Sequence, residues 1–206
     1  GAILTQDRGL AELLRSLRSH GAEAGALSPG DLPDVLRLGY NFRLSDLQAA
    51  LGLAQMARFD ALFAARRRQA ALYDELLEGI PWLRRPGRTP GCEHAWQSYV
   101  VSLRCAEPVA GELAAARAAL LERAHRQREG LRAELERRGI ATRPGATAIH
   151  TLRLYQERFG YGDADLPGAL QADRLAFALP LHPELEEADL RRVRDALVEA
   201  YEGRER

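Results

Sequence analysis

Lysine is absent from this sequence, and every basic residue among its 206 positions is an arginine. A reaction that begins with a lysine amine, such as imine formation with a carbonyl cofactor, cannot use a side chain of this chain. Neither sign of charge is in excess, because 29 basic residues face 29 acidic ones. This balance gives no overall field to attract nucleic acid or an anionic membrane, so we expect neither as a partner.

Cysteines, long apolar runs and metal motifs are also scarce. Cys92 and Cys105 are too few for a disulfide framework and lack the spacing of a zinc site. No apolar run approaches the roughly 18 residues that cross a bilayer, and residues 1–5 lack the basic region and apolar core of a signal peptide. The five histidines are isolated, with no pair at helical spacing. These absences favour a cytoplasmic protein without a metal site.

The remaining composition, 46% hydrophobic and 28% charged, is typical of a globular protein. Asp7 caps the first predicted helix, and Ser45 with Gln48 forms a capping box before a helix of about 34 residues. The order of elements favours an α+β fold, with a small antiparallel sheet covered by helices. Periodicity and caps predict helices over 7–19, 45–79, 112–138, 150–159, 166–176 and 186–201, and strands over 96–103 and 140–143.

Several features are interpreted as structural. Residues 81–91, rich in Pro, Gly and Arg, predict a linker. His20 is interpreted as a turn residue that ties a helix end, and His94 and Trp96 as strand packing residues. A run of arginines mixed with glutamates predicts a solvated helix face: Arg123, Arg126, Arg128, Arg132, Arg137 and Arg138.

Residues 39–43 form the strongest candidate site. They place a flexible glycine, an aromatic ring, an amide and a guanidinium immediately before the Ser45 capping box. Hydrogen-bond donors beside a helix amino terminus suit a phosphate or carboxylate. On spacing alone, a structural interpretation stays open, in which Tyr40 and Phe42 are core aromatics, Asn41 is a turn residue and Arg43 is a surface ion-pair partner.

The stretch LGYNFRLSDLQAALG, residues 38–52, strongly resembles the signature of the DegT/DnrJ/StrS family of sugar aminotransferases. Other stretches resemble family motifs in the same order along nearly the whole chain. Residues 1–5 resemble the strand after the Schiff-base lysine, and residues 17–21 resemble its Leu-Arg-Asn-His-Gly turn. Residues 94–101 resemble a small-domain strand, residues 142–155 the substrate-facing loop, and residues 172–181 the motif before the last helix.

The resemblance implies a fold-type-I enzyme that uses pyridoxal phosphate (PLP) to move an amino group from glutamate or glutamine to a nucleotide-linked keto sugar. In such enzymes a large domain supplies the lysine, and a homodimer completes the site. The chain is then expected to be the carboxy-terminal portion, inactive alone, with a helical remnant of the large α/β domain. The expected divisions are residues 1–44 as that remnant, 45–80 as a long interdomain helix and 81–206 as the small domain.

The resemblance also implies roles for individual residues. Asn41 matches a position that reaches across the dimer to the partner's cofactor phosphate, and Arg43 lies near the same anionic entrance. Both are expected to bind the cofactor. No catalytic residue or metal ligand is expected on this chain. The residues expected to bind substrate are Tyr40, His150, Arg143 and Tyr155.

Two alternatives stay open. The chain is consistent with a truncated, non-catalytic paralogue that acts as a dimerisation or interaction partner, or with a relative acting on a cyclitol or an aromatic precursor. Residues 105–128 are longer and more alanine-rich than the family pattern. Loss of a large domain further predicts an exposed apolar surface at Ile3, Leu10, Leu14 and Leu17.

Overall fold

The computed structural model describes residues 1–23, 34–104 and 114–203. The sequence of residues 22–37, rich in Gly, Ser and Pro, predicts a loop, and residues 24–33 of it lie outside the described residues. The first part of the alanine-rich stretch, residues 105–113, also lies outside them. The chain divides into two compact units, Gly1–Arg58 (unit 1) and Phe59–Arg206 (unit 2). The helices are α1 Arg8–Arg18, α2 Asp46–Ala57, α3 Phe59–Leu76, α4 Ala114–Arg137, α5 Arg153–Phe159, α6 Pro167–Leu175 and α7 Glu187–Glu202, and the strands are β1 Leu83–Arg84, β2 Tyr99–Leu103, β3 Arg143–Pro144 and β4 Ala176–Leu179.

Helix α1 begins as predicted, because the Asp7 carboxylate accepts a hydrogen bond from the backbone N–H of Leu10 at 2.9 Å. After α1 the chain turns through His20 and Gly21, which have positive φ angles of 65° and 75°. This turn lies directly against Gly39, where an added Cβ would be 2.0 Å from the Gly21 nitrogen. Glycine is required at both positions for the two backbones to approach this closely.

The Ser45 capping box is confirmed: the Ser45 hydroxyl accepts from Gln48 N, and the Gln48 side chain accepts from Ser45 N. The single helix predicted over 45–79 is instead two helices, α2 and α3. Arg58 lies between them with φ −102° and ψ 0°, and its N–H bonds to the Gln55 carbonyl at 3.1 Å. A ψ near 0° departs from the helical value, so α2 ends there without a proline or glycine to signal it.

Unit 2 contains a four-stranded antiparallel sheet with strand order β1-β2-β4-β3. Strand β2 confirms the strand predicted over 96–103, although it begins later. The short strand predicted over 140–143 is displaced towards the carboxyl end, because β3 shares only Arg143 with it. The linker predicted over 81–91 contains β1. Helix α6 ends one residue before the predicted limit, and β4 follows it directly in register with β2, pairing Tyr99 with Leu179.

The core of unit 2 joins side chains from the sheet and from α3, α4 and α7. Helix α4 continues through Gly130, although glycine has a low helix propensity. The sheet with its covering helices confirms the predicted α+β class. Within the described residues, none of the helices combines the length and hydropathy needed to cross a bilayer. The largest fully buried side chains are Tyr73, Tyr99, Phe177, Leu77, Leu131, Leu135, Leu190, Leu197, His150 and Val101.

Candidate functional site

Backbone hydrogen bonds hold residues 40–42 against the end of α1. The Tyr40 N–H donates to the Leu17 carbonyl at 2.8 Å, and the Phe42 N–H donates to the Arg18 carbonyl at 2.9 Å. The His20 N–H in turn donates to the Tyr40 carbonyl at 2.8 Å. With its backbone fixed in this way, the segment presents its side chains outward.

The side chains of this segment are exposed, which contradicts the interpretation of Tyr40 and Phe42 as core aromatics. Their rings stack on each other with centroids 4.8 Å apart, and they are 53% and 67% exposed. The Asn41 side chain is exposed and makes no hydrogen bond within the described part of the chain. Arg43 Nη2 lies 3.3 Å from His20 Nε2. A guanidinium only donates, so the His20 nitrogen accepts.

A surface groove of about 800 Å³ lies beside these residues within unit 1. Three arginines line it, Arg15, Arg18 and Arg43, and the described residues that line it include no carboxylate side chain. The groove therefore combines positive charge with apolar surface, a combination that suits an organic anion. Its other lining residues are Gly1, Ala2, Ile3, Thr5, Ala11, Leu14, Leu17, Tyr40, Phe42 and Leu44.

The amino terminus of α2 adds less to anion binding than its position suggested. Ser45 and Gln48 satisfy each other's backbone N–H groups, and the Asp46 carboxylate occupies the first turn. A second anion near the first turn would meet this negative charge. In segment 40–43 the side-chain amide and guanidinium donors for a phosphate are therefore those of Asn41 and Arg43, and Arg15 and Arg18 add charge to the groove beside them.

The other three predicted site residues lie in unit 2. Arg143 is an exposed residue of β3 and makes no hydrogen bond to His150 or Tyr155 within the described residues. Tyr155 is half-buried on α5, with its ring 6.0 Å from that of Phe159. His150 is only 2% exposed, and its Nε2 lies 3.1 Å from the Asp163 carbonyl oxygen. In this geometry Arg143 and Tyr155 can reach a ligand directly, whereas His150 is enclosed.

The sequence matches the model of the DegT/DnrJ/EryC1/StrS aminotransferase family over residues 1–198. The chain belongs to this family. The fold resembles that of Helicobacter pylori PseC, an aminotransferase involved in pseudoaminic acid biosynthesis, with a TM-score of 0.78 and 22% identity over 97% of this chain and 48% of that one. A second match is S. venezuelae DesV, solved with a ketimine intermediate, with a TM-score of 0.75 and 28% identity over 98% of this chain and 46% of that one.

Spr1654 from Streptococcus pneumoniae is a third similar structure. Its PLP form matches with a TM-score of 0.76 and 20% identity, over 98% of this chain and 46% of that one. The chain thus spans about half the length of these aminotransferases. The matches confirm the family resemblance and the fold, a sheet with covering helices that forms about half of a fold-type-I sugar aminotransferase.

One prediction for this aminotransferase-family chain, the exposure of Arg128, is wrong. Predicted to lie on a solvated face, it is 4% exposed and donates to the carbonyls of Asp173 and Ala176. Its spacing carried a usable signal, since it falls in register with buried residues at 124, 131 and 135. The neighbouring glutamates made these four positions difficult to recognise as a buried face, because they give the helix charged residues on every side.

Glu129 pairs with two guanidinium groups beside this buried arginine. Its carboxylate lies 2.6 Å from Arg128 Nη2 and 3.1 Å from Arg132 Nη1. Partial burial alone would raise the pKa of Glu129, but the two guanidinium groups outweigh it and hold that pKa below its usual range. Arg132 also donates to the Thr142 hydroxyl, one residue before Arg143, so the cluster fastens α4 to the start of β3.

Trp96 and His94 confirm their structural interpretation in part. Trp96 is buried, with a positive φ of 49°, and its backbone N–H donates to His94 Nδ1 at 2.8 Å. Arg66 on α3 donates to the carbonyls of Trp96 and Gln97, holding the bend before β2. His94 itself is exposed. Among the described residues, no three His, Cys, Asp or Glu side chains are placed to share a metal ion.

Proposed function

We infer that this chain contributes to a cytoplasmic, PLP-dependent enzyme that moves an amino group from glutamate or glutamine to a nucleotide-linked keto sugar. The observation that supports this best is the segment 40–43, with its unengaged Asn41 amide and its arginine beside the positively charged groove. The segment stands in a chain of the aminotransferase family, and Spr1654 with the same fold was solved with PLP. The amine donor and the sugar follow from the family resemblance.

The residues of this chain fit one end of PLP and not the other. An amide and a guanidinium are suitable donors for its phosphate, which favours Asn41 and Arg43 as phosphate ligands. The aldehyde end needs an amine, and the sequence has no lysine. When bound, the cofactor would supply an electron sink for carbanion chemistry, while the groups of this chain would bind and orient. The lysine must then come from another segment or subunit.

A homodimer is part of the proposal. Asn41 would contact the cofactor phosphate of the partner subunit, because both subunits contribute to each site. Tyr40 would line the pocket with its exposed ring. Arg143 would face the phosphates of the nucleotide, and Tyr155 would present its ring and hydroxyl to the same substrate. His150 also belongs to the proposed substrate site, where it either contacts the substrate or supports residues that do.

The Asn41 side chain offers the sharpest test of the proposed site. In the product of the gene's whole reading frame, Asn41→Ala should weaken PLP binding about tenfold, the loss expected for one hydrogen bond to a charged group. Asn41→Asp should weaken it further, because a carboxylate would face the phosphate. Equilibrium dialysis with PLP measures both, and Gln55→Ala, which removes an exposed amide on α2, is the control. Unchanged binding in Asn41→Asp would refute the assignment.

The missing amine has its own test. The 206-residue chain alone, mixed with PLP and then reduced with borohydride, should carry no pyridoxyl group on any side chain. Mass spectrometry of its peptides detects such a group, and the α-amino group of Gly1 is the one site at which labelling is compatible with the proposal. A pyridoxylated side chain would contradict the chemical premise.

A non-catalytic interaction partner is the second candidate. The observation that favours it is α2, which buries none of its residues and exposes Leu47, Leu51, Leu53 and Met56. Large apolar side chains grouped on one exposed helix are typical of an interaction surface. The two candidates separate at the gene: a reading frame that includes a lysine-bearing large domain supports the enzyme, and one that encodes this chain alone supports the interaction partner.

A further inference from the structure

His150 is enclosed in a way that identifies its tautomer. Its Nε2 lies 3.1 Å from the Asp163 carbonyl oxygen, and a carbonyl only accepts hydrogen bonds. The proton therefore sits on Nε2. The other ring nitrogen, Nδ1, is buried and has no partner within the described residues. A second proton there would leave a buried donor unsatisfied, and a substrate hydroxyl cannot reach this atom while the ring is enclosed.

Two more hydrogen bonds close the same stretch of chain. Gln156 Nε2 donates to Asp163 Oδ1 at 2.8 Å, and the Ala148 N–H donates to Asp173 Oδ1 at 3.2 Å. Gly160, with φ +73°, ends α5 and lets the chain turn back. Residues 148–163, the clamped segment, are therefore fixed at their start by Asp173 and closed on themselves by His150 and Gln156.

The clamped segment buries its histidine and turns other side chains outward. Tyr155 is half-buried with its ring beside that of Phe159, and the segment also exposes other apolar residues: Ile149, Leu152 and Leu154. The segment also connects to the core, since Arg128 donates to the Asp173 carbonyl while the Asp173 carboxylate holds Ala148. Binding surfaces that must orient a substrate depend on such supporting contacts.

We propose that His150 is a positioning residue, whose Nε2–H bond to the Asp163 carbonyl fixes the clamped segment, and that the outer face of this segment, with Tyr155, meets the sugar substrate. The proposal rests on the proposed function and changes the role of His150 within it. The ring acts through the backbone of Asp163, and the substrate contacts the surface that this bond holds in place.

Two isosteric substitutions separate the ring nitrogens. A glutamine side chain can place an N–H near the position of Nε2, whereas an asparagine places it near Nδ1. In the product of the whole reading frame, His150→Gln should keep the KM for the keto sugar within about threefold of wild type. His150→Asn should raise it about tenfold, the loss expected for one buried hydrogen bond, with a smaller change in kcat. Glutamate and a panel of nucleotide-linked keto sugars are the substrates.

Asp163→Ala is the matched control for this pair. It removes the carboxylate that Gln156 contacts but keeps the carbonyl that His150 contacts, so it should raise the KM less than His150→Asn. If His150→Asn retains activity and His150→Gln loses it, Nδ1 contacts the substrate and the positioning role is wrong. Equal losses in the two variants would also overturn it, because the effect would then not depend on the Nε2 donor.

A second readout does not depend on catalysis. In the 206-residue chain, nitrogen NMR should find His150 in the Nε2–H tautomer, with its signals assigned by their loss in His150→Gln. Amide hydrogen exchange over residues 148–163 should be about tenfold faster in His150→Asn and close to wild type in His150→Gln. An Nδ1–H tautomer overturns the clamp. If the clamp is found but wild type aminates no sugar in the panel, the proposed function and the substrate contact fail together, while the clamp stands.

Discussion

Units 1 and 2 differ in where their apolar side chains lie. Unit 2 fully buries Tyr73, Tyr99 and Phe177 in a core shared by the sheet and its helices. In the described part of unit 1, Ala22 is the one buried apolar residue, while Ile3 is 71% exposed and Leu47 85%. Capping and turn residues thus specify the local structure of unit 1 without a core, whereas the structure of unit 2 is built around a shared apolar core.

This contrast agrees with the apolar surface expected from the sequence. Ile3 and Leu10 are exposed, and Leu14 and Leu17 are half-buried along the groove of unit 1. A surface with this much exposed apolar area marks an interaction site. Unit 1 is therefore the part of the chain whose stability we expect to depend on other polypeptide, and the matched substitutions below compare the two units directly.

Removing one phenylalanine from each unit should give the largest difference. Phe177→Ala leaves a cavity among fully buried side chains and should lower the free energy of unfolding by about 4 kcal/mol. Phe42→Ala removes an exposed ring and should cost less than about 1 kcal/mol, mainly its stacking on Tyr40. Urea titration followed by tryptophan fluorescence measures unit 2, because Trp82 and Trp96 both lie there, and amide hydrogen exchange within α1 measures unit 1. Similar losses in the two variants would refute the contrast.

The elements that could be predicted from sequence are those specified by neighbouring residues. Asp7 and Ser45 predict the starts of α1 and α2, because a helix cap is formed by residues within one turn. Strand β4, with the sequence AFAL, has no β-branched residue and follows a helix without a break, so its pattern extends that helix. Only pairing with β2 and β3 makes it a strand.

The candidate site divides in the same way. Residues 39–43 are contiguous, so their sequence indicated the cluster that the structure shows beside α1. The hydrogen bond of His150 to Asp163 spans 13 positions, and that of Arg128 to Asp173 spans 45. No local pattern encodes contacts of that separation. The enclosure of His150 therefore came from the fold alone. The burial of Arg128 had a local signal in its register with residues 124, 131 and 135, but its partners, Asp173 and Ala176, did not.

Replacing one arginine in each unit should give the second largest difference in the free energy of unfolding. Arg128→Met leaves the Asp173 carbonyl without its buried donor and removes one of the two donors to the Ala176 carbonyl, so it should destabilise unit 2 by about 2 kcal/mol. Arg43→Met removes an exposed guanidinium that contacts only His20 among the described residues, and its cost should be below about 0.5 kcal/mol. The urea titration measures the cost of Arg128→Met, and amide hydrogen exchange within α1 measures that of Arg43→Met. A stabilised Arg128→Met variant would mean that packing, and not hydrogen bonding, holds α4 at this junction.

Tyrosine substitutions test the difference between the two units at alkaline pH. Burial and the bond to Asp74 raise the pKa of Tyr99 above its ordinary value near 10, and burial also raises that of Tyr73. A raised folded pKa gives stability that is complete below about pH 10 and is lost as the pH rises further. Tyr99→Phe should cost about 1 kcal/mol at neutral pH and should reduce that alkaline loss. Exposed Tyr40→Phe should change neither, and an alkaline loss that persists unchanged in Tyr99→Phe would exclude Tyr99 as its source.

Helix caps should give the smallest difference in stability between the units. The informative result is which unit each substitution destabilises. Ser45→Ala removes the cap of α2 in unit 1, and Asp189→Ala removes the carboxylate that accepts from Glu186 N at the start of α7 in unit 2. Each should weaken its helix by about 1 kcal/mol. Because α7 packs in the core, Asp189→Ala should lower the stability measured by tryptophan fluorescence. Ser45→Ala should instead leave that value unchanged and speed amide exchange within α2, since α2 buries none of its residues. If Ser45→Ala lowered the fluorescence-detected stability by as much as Asp189→Ala, the two units would unfold as one, and the capping residues of unit 1 would support the core of unit 2.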